Sequence, residues 1–330
     1  MIIEWTVSYT FGKKVYGTYF MEEPIFLYLQ ARTEKYEDFP WYLLHGPRKE
    51  ERQQRYLKRK LPMETRGCQV LGREGFKVEL PFTYEQLKVC DEDYLEDVAS
   101  RIREQYREAV ITSQTNLLTL FPEKIVRNGR YMPIYFVPEI IEACLKIKGI
   151  QKKEVRLVVF DSESGCSPFL LGLLGEQYNY LTFVTENLTT ECEEEIERLF
   201  EEYGLAVSVW EGPGREEIPG DVFLDVSGMA KKYCRALPRG CVLIDFFGKS
   251  DRRYLESRMK EGMLCQSFLF GKRGEEGQEA YPPQLLEAVC FGKEQKPCFL
   301  SERLWEDYRR IAEEGVQILA INGEKIVSFS

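Results

Sequence analysis

Histidine is nearly absent from this chain: there is one, His45, among 330 residues. We therefore expect neither a zinc site built on histidines nor a catalytic triad with a histidine base. The ten cysteines include no Cys-x-x-Cys pair, and Cys144 and Cys241, among others, lie within apolar runs. Cysteines in this setting are typical of buried free thiols in a reducing compartment, which predicts a cytoplasmic protein.

Long apolar runs and an excess of positive charge are also missing. No run approaches the roughly 20 residues that cross a bilayer, and the first residues, MIIEW, lack the regions of a secretory signal. We therefore expect no membrane segment. The formal net charge is −9 and the pI is near 5.1, which disfavours nucleic acid as a partner. The content of 44% hydrophobic and 30% charged residues is that of a globular protein.

The length favours more than one domain, and the pattern of the sequence changes near residue 150. We predict an α+β domain of unknown role over 1–150 and an α/β domain over 151–275. Residues 276–330 predict helices and a β-hairpin, the hairpin from Asn322-Gly323 between two alternating segments. Packing on the N-terminal domain, with pairing to its sheet, is one arrangement for this tail.

The N-terminal part gives weaker signals. Residues 2–9 and 14–20 predict a β-hairpin, because they are rich in aromatic and β-branched residues and flank a turn. Apolar residues at steps of three and four predict a long helix over 84–120. A further helix is predicted between Pro138 in its first turn and Gly149 just past its end.

Five short apolar segments with helical or turn-like material between most of them dominate the second half. They are VRLVVF (155–160), YLTFVT (180–185), LAVSVW (205–210), DVFLDV (221–226) and CVLIDFF (241–247). Strands that are buried on both faces of a parallel sheet have this composition. The sequence therefore predicts a Rossmann-like, doubly wound α/β fold whose mainly parallel sheet has at least five strands. Such a sheet binds ligands at the carboxyl ends of its strands.

Small or acidic residues follow three of these strands, and they are the candidate ligand-binding residues. The set is Ser162, Ser164, Gly165, Ser167, Glu186, Asn187, Asp225, Ser227 and Gly228. The loop after the first strand opens a helix, so its N–H groups and serines suit a phosphate or carboxylate. Glu186 stands where nucleotide-binding folds place an acid on a ribose hydroxyl. Asp225 or Ser227 would border the reacting end. The alternative is structural: serines cap helices, and an exposed glutamate can simply begin an acidic helix.

Short motifs resemble known cofactor-binding families. DVFLDVSG…LPRGCVLIDFFG resembles the later half of Rossmann domains in nicotinamide-dependent dehydrogenases, and SGCSPFLLGLL is faintly similar to a turn of the methylenetetrahydrofolate dehydrogenase family. VVFDSESGCS and LPRGCVLI are also similar to motifs of S-adenosylmethionine-dependent methyltransferases. The resemblance covers about a third of the chain and implies NAD(P) or S-adenosylmethionine as cofactor. The G-x-G-x-x-G fingerprint is missing from the first strand–helix turn.

Three functions stay open from the sequence. The favoured one is an enzyme or sensor with a nucleotide-type cofactor at the strand ends, its reaction and catalytic residues unknown. The second is a scaffold for a protein partner, built on a degenerate Rossmann site. The third is anion or nucleic-acid binding through a basic helix over 48–60, where Arg48, Arg52, Arg55 and Arg59 would share one face.

Overall fold

The computed structural model describes residues 6–7, 26–32, 63–83, 90, 92–107, 109–113, 126–127, 129–162, 165–211, 217–246, 252–259, 261–272, 280–292 and 301–325. The chain divides into two compact units. The first unit is Met1–Gly129 with Gln284–Gln295, and the second unit is Arg130–Pro283 with Lys296–Ser330. The domain boundaries at 150 and 275 stay a prediction.

The first unit is an α+β structure built on a mixed sheet. Its strands are β1 (Thr6–Val7), β2 (Phe26–Arg32), β3 (Glu64–Val70), β4 (Arg73–Thr83), β5 (Val110–Ser113) and β6 (Val126–Arg127). They lie in the order β1-β3-β4-β2-β5-β6. Helix α1 (Glu92–Gln105) buries Val98 and Ile102 against Leu27 and Leu29 of β2. The apolar stripe of α1 thus covers one face of the sheet.

The helix predicted in this unit can be compared with the structure. The helix predicted over 84–120 is wrong in extent: α1 ends at Gln105, and 110–113 is a strand. This Val-Ile-Thr-Ser segment is buried at every position, and its β-branched residues favour a strand. Strand β1 pairs with β3. The predicted strand over 14–20 and the basic helix over 48–60 lie outside the described residues.

A six-stranded parallel sheet forms the centre of the second unit. Its strands are β7 (Arg156–Phe160), β8 (Tyr180–Thr185), β9 (Ser208–Glu211), β10 (Val222–Asp225), β11 (Val242–Asp245) and β12 (Met263–Cys265). They lie in the order β12-β11-β10-β7-β8-β9, and every pair is parallel. With β7 counted as the first strand, this is the 3-2-1-4-5-6 order of Rossmann folds. The predicted fold is confirmed, with β12 as a sixth strand that the sequence analysis missed.

Helices accompany this sheet along the chain. They are α2 (Val137–Lys148), α3 (Ser167–Gly175), α4 (Thr190–Tyr203), α5 (Ala230–Tyr233), α6 (Arg252–Met259) and, after α7, α8 (Ser301–Glu313). Helix α7 (Pro283–Phe291) belongs, from Gln284 on, to the first unit. The predicted helix between Pro138 and Gly149 is confirmed as α2, and Gly149 ends it with a φ of 67°. Helix α3 packs closely on α4, since a Cβ at Gly175 would lie 2.5 Å from the Leu199 side chain.

The C-terminal tail forms the predicted hairpin. Strands β14 (Val316–Ile321) and β15 (Glu324–Lys325) flank Asn322 and Gly323, whose φ values of 51° and 84° suit a tight hairpin turn. Pairing with the N-terminal sheet was the wrong expectation. β14 instead pairs antiparallel with β13 (Phe268–Lys272), the strand that follows β12, in a separate three-stranded sheet.

The remaining predictions from composition concern free cysteines and membrane-spanning segments. Nine cysteines lie in the part of the chain that the structure describes, and all nine are free; most are buried. The tenth, Cys298, lies outside it. Among the described helices, none combines the length and apolar character that a membrane crossing requires.

Candidate ligand-binding site

The strand order creates a crevice at the carboxyl ends of β7 and β10. Beyond β7 the chain continues to β8 and β9 on one side, and β10 returns on the other side. Strand ends at such a switch point are not covered by a single crossover, which is why ligands bind there. Phe160, Val184 and Asp225 share one register position, so the ends of β7, β8 and β10 are level. The loops that carry the candidate residues are therefore brought together.

Three buried carboxylates line this edge of the sheet. Asp161 follows β7, Asp225 ends β10 and Asp245 ends β11, with 3%, 0% and 0% of their surfaces exposed. Asp225 and Asp245 are register partners on neighbouring strands and so project from the same face of the sheet. A carboxylate taken out of water needs hydrogen-bond donors, and each of these three has them nearby.

Asp225 is wrapped by the loop that follows it. Its Oδ1 accepts the backbone N–H groups of Ser227, Gly228 and Met229 at 3.2, 2.7 and 2.9 Å, and its Oδ2 accepts that of Ala230 at 2.6 Å. Gly228 permits this tight loop with a φ of 82°. Burial raises the pKa of Asp225 to about 6, and the charge of Asp245 adds to the rise, while the N–H donors oppose it. The carboxylate is mainly ionised at neutral pH.

The loop after β7 is organised by Asp161 in a similar way. The Ser167 hydroxyl, which is buried at the start of α3, donates to the Asp161 carboxylate. Gly165 has a φ of 72°, a left-handed conformation that favours glycine whether or not a ligand is bound. Ser162 is half-buried. Ser164 lies outside the described residues. The hydroxyl of Ser167 is therefore engaged within the protein rather than turned toward a ligand.

Glu186 is the first residue after β8 and is exposed. Its carboxylate forms an ion pair with Lys232 of α5, the helix that follows β10. Since β7 lies between β8 and β10 in the sheet, this ion pair spans the end of β7 and crosses the crevice. Exposed pairs of this kind contribute little to stability and open readily. Asn187 is exposed, and its backbone forms a turn with the Thr185 hydroxyl.

Two buried hydroxyls in the segment after β10 have no hydrogen-bond partner among the described residues: those of Tyr233 and Ser227. The Tyr233 ring stacks on Phe160 at 5.2 Å between centroids, and 2% of the residue is exposed. Burial raises the pKa of Tyr233, as does the nearby charge of Glu186, so the hydroxyl stays protonated. A buried hydroxyl without a partner costs about 1–3 kcal/mol, and a polar ligand group would remove that cost.

The other end of the same edge is closed. The Gln266 amide donates to Asp245 at 2.7 Å, and the Phe268 ring stacks on Phe246 at 5.8 Å. The Asn322 side chain accepts the backbone N–H groups of Gln266 and Ser267 at 3.1 and 3.3 Å. The hairpin turn of the tail thus holds 266–268 over the end of β11. The sequence of the tail did not predict this structural role.

Sequence reasoning found the loops but missed the side chains that organise them. Asp161 and Asp245 carried a signal, since VVFD, VFLD and VLID each end an apolar segment with an aspartate. Tyr233 carried none, because its position over Phe160 depends on how α5 packs. In the part of the chain that the structure describes, no group of three or more histidine, cysteine or acidic side chains is arranged to hold a metal ion.

No protein-family model and no curated protein matches the chain. Among solved structures it is similar to glutamate dehydrogenase from Thermus thermophilus, with 10% identity and a TM-score of 0.32 over 74% of this chain and 65% of that one, less than two thirds of its length. L-tryptophan dehydrogenase from Nostoc punctiforme gives 8% identity and a TM-score of 0.32 over 88% and 81% of the two chains.

Shikimate 5-dehydrogenase from Listeria monocytogenes, solved in complex with shikimate and NAD, gives 8% identity and a TM-score of 0.29 over 72% and 84% of the two chains. These structures are dehydrogenases, the class that the segment around Asp225 resembles, and no specific family is identified. At such low similarity the fold is assigned from the order and register of the chain's own strands: the second unit has a Rossmann-like fold.

Proposed function

We propose that the second unit binds a nucleotide-type small molecule at the carboxyl ends of β7, β8 and β10. The observation that carries this proposal is the pair of buried hydroxyls of Tyr233 and Ser227, which follow β10 and have no hydrogen-bond partner among the described residues. NAD(P) and S-adenosylmethionine are the cofactor classes that the sequence resemblance implies. No catalytic residue is assigned. The Ser167 hydroxyl donates to the Asp161 carboxylate, but both residues are buried.

Glu186 is the proposed ribose contact. Its position directly after β8 is the one from which an acid reaches a ribose hydroxyl in nucleotide-binding folds. Its partner, Lys232, is exposed, so the ion pair can open to admit the ligand. In this proposal Tyr233 and Ser227 supply neutral hydrogen bonds, and the left-handed Gly165 and Gly228 keep both loops free of bulky side chains.

A scaffold without a bound cofactor is the second candidate. It is favoured by one observation: Asp225 already accepts four backbone N–H groups of the loop after β10. A loop whose hydrogen-bond donors are used within the protein can stabilise the fold without binding a ligand. In that case the unit would serve a protein partner. Nucleic-acid binding is not proposed, because the basic segment 48–60 lies outside the described residues.

We place the protein in the cytoplasm on the strength of its cysteines. The nine described cysteines are free and mostly buried, as in proteins of a reducing compartment. Thiol titration of the denatured, unreduced protein tests this proposal. Ten free thiols support it, and markedly fewer contradict it.

Thermal denaturation of the full chain tests the binding proposal. NAD, NADP and S-adenosylmethionine are added separately at millimolar concentration. A ligand at a hundred times its dissociation constant adds about 2.7 kcal/mol to the free energy of unfolding, which raises the melting temperature measurably. A rise with at least one compound supports the proposal. No rise with any nucleotide or nucleoside cofactor would leave the scaffold as the function.

A further inference from the structure

We infer that the outer edge of the parallel sheet at β9, together with the neighbouring flank of α4, binds an extended segment of a partner protein that is rich in lysine or arginine. The flank, called here the outer flank of α4, consists of Glu193, Ile196, Glu197 and Phe200. This inference does not depend on the ligand proposed for the crevice. It goes beyond the scaffold alternative, because it names the surface and the chemistry of the partner.

The two edge strands of this sheet differ in what contacts them. At β12 the Asn322 side chain donates to the Leu264 carbonyl, and the Sγ atom of Cys144 in α2 lies 3.5 Å from that of Cys265. β9 pairs with β8, and within the described part of the chain its backbone forms no other hydrogen bond. Every second residue of an edge strand points its N–H and C=O groups away from the sheet. An extended segment can pair with these groups and add a strand to the sheet.

The outer flank of α4 faces away from α3 and carries an exposed aromatic ring. A Cβ at Gly175 would lie 2.5 Å from Leu199, and one at Gly172 would lie 3.3 Å from the Arg198 guanidinium, so this side of α4 packs on α3. Phe200 follows Arg198 by two residues and projects from roughly the opposite side of the helix, where 62% of it is exposed. Because α3 joins β7 to β8 and α4 joins β8 to β9, the side away from α3 is the side toward the free edge of β9. Aromatic residues are enriched in protein interfaces.

The exposed charge of α4 is acidic and lacks a counter-charge in the described part of the chain. The helix has seven glutamates and one basic residue, Arg198, which is paired within the helix. Glu193 and Glu197 are exposed, lie four residues apart and form no ion pair with a described residue. Like charges at this spacing destabilise a helix, and the helix dipole also opposes Glu201 in the last turn. Cationic side chains of a partner would remove this repulsion.

The charge favours a basic partner over a second copy of this chain. Antiparallel pairing of two β9 strands about a two-fold axis would place both α4 helices on one face of a continuous sheet, with their acidic outer flanks toward each other. A basic segment instead meets Glu193 and Glu197 with opposite charge. Its other face meets Trp210, which is half-buried against the core cluster of Val184 and Tyr233. Since side chains alternate along a strand, we expect a segment in which basic and apolar residues alternate.

Fluorescence anisotropy of labelled peptides with the full chain tests the inference. The probe is a peptide of alternating lysine and valine, about eight residues long, which is enough for one strand. One control has glutamate in place of lysine, and the other keeps the lysines but is N-methylated at every backbone amide, so that it has the charge without the N–H donors. We expect the probe to bind roughly tenfold more tightly than either control, and more weakly as the salt concentration rises. Equal binding of the N-methylated peptide, or no binding of the probe, would overturn the inference.

Matched variants locate the contact. Phe200→Ala and Ile147→Ala each truncate an exposed apolar side chain, the second on α2. Glu197→Gln and Glu191→Gln each remove one exposed carboxylate of α4, but Glu191 precedes Arg198 by seven residues and so lies on the α3 side. We expect Phe200→Ala to weaken the probe about fivefold and Glu197→Gln about threefold with the melting temperature retained, and both controls to bind as the parent does. Equal effects in the flank variants and their controls would overturn the inference. So would a dimer in analytical ultracentrifugation that Phe200→Ala dissociates, since it would assign this surface to a second copy.

Discussion

The two halves of the carboxyl edge in the second unit start from the same pattern and end differently. Strands β7, β10 and β11 each lead into a buried aspartate. At β11, Asp245 accepts a hydrogen bond from the Gln266 amide, and Gln266 is itself held by Asn322 of the tail. At β7 and β10 buried hydroxyls lack partners among the described residues, and an exposed ion pair crosses the opening. The half at β11 is packed as a core, and the half at β7 and β10 is where we propose that a ligand binds.

If the proposal holds, one half of this edge contributes to stability and the other to binding. Buried polar groups that have hydrogen-bond partners make a sheet edge rigid. Buried polar groups without partners lower the stability of the protein, and a ligand that bonds to them removes this loss. Variants that act on one half and not on the other therefore test whether the division is real.

The largest expected effect is on stability, from Asp225→Ala. It leaves four backbone N–H groups without their acceptor, and we expect a loss of about 3–5 kcal/mol in the free energy of unfolding. Asp225→Asn is the control. Its amide oxygen can keep the three bonds to Oδ1, so the loss should be smaller, about 1–3 kcal/mol. Urea denaturation measures both; a loss of less than about 1 kcal/mol in Asp225→Ala would show that the loop does not depend on this carboxylate.

The second largest expected effect is a pH dependence of the free energy of unfolding. The pKa of Asp225 rises in the folded chain from its ordinary 3.8 to about 6, so the folded state binds the proton more tightly than the unfolded state. Stability from this group is full below pH 4 and is lost as the pH rises through 6. The difference in unfolding free energy between the parent and Asp225→Asn should fall by about 3 kcal/mol from pH 4 to pH 7. A difference that stays flat or rises contradicts this sign.

A smaller effect is expected at the closed half, from Asn322. Asn322→Gly keeps the positive φ and loses the side-chain bonds to the segment 264–267, at a cost of about 1–2 kcal/mol. Asn322→Ala also strains the turn and should cost about 1 kcal/mol more. Urea denaturation of both variants checks this, and an unchanged free energy of unfolding in Asn322→Gly would show that the tail does not hold this segment.

The smallest effect on stability, and a clear one on binding, is expected at the ion pair over the crevice. Glu186→Gln should leave the melting temperature within error, because the pair is exposed, and should weaken a ribose-bearing probe roughly tenfold. Lys232→Met frees the Glu186 carboxylate and should tighten binding instead. Opposite signs for the two variants support the ribose contact. Weakening in both would assign the ion pair a structural role.

The sheet of the second unit could be predicted because parallel strands buried on both faces leave continuous apolar segments in the sequence. The strand 110–113 could not, since Val110 continued the helical spacing of α1 and only its burial on both faces distinguishes it. β12 was missed because three residues are too short to show a pattern. The hairpin turn at Asn322-Gly323 could be predicted, because few residue types adopt the positive φ values that such a turn requires.

The candidate site was predictable only as a set of loops. Small residues after β7, β8 and β10 marked where a ligand fits, but the partners of those residues depend on tertiary structure. Glu186 and Lys232 pair although they are 46 residues apart, and the bond from Ser167 to Asp161 depends on how the loop between them folds. Tyr233 became a candidate only when its ring was seen on Phe160 with its hydroxyl unpartnered among the described residues.

Hydrogen–deuterium exchange of the full chain, with and without saturating S-adenosylmethionine, tests the central claim most directly. The claim is that a nucleotide-type ligand lies at the ends of β7, β8 and β10 and not at the end of β11. We expect slower exchange in the loops after those three strands, including Ser227 and Gly228, and no change in 264–268, which the tail already holds. Protection centred on 264–268 or on the first unit would contradict the claim, as would the absence of protection at a concentration where calorimetry detects binding.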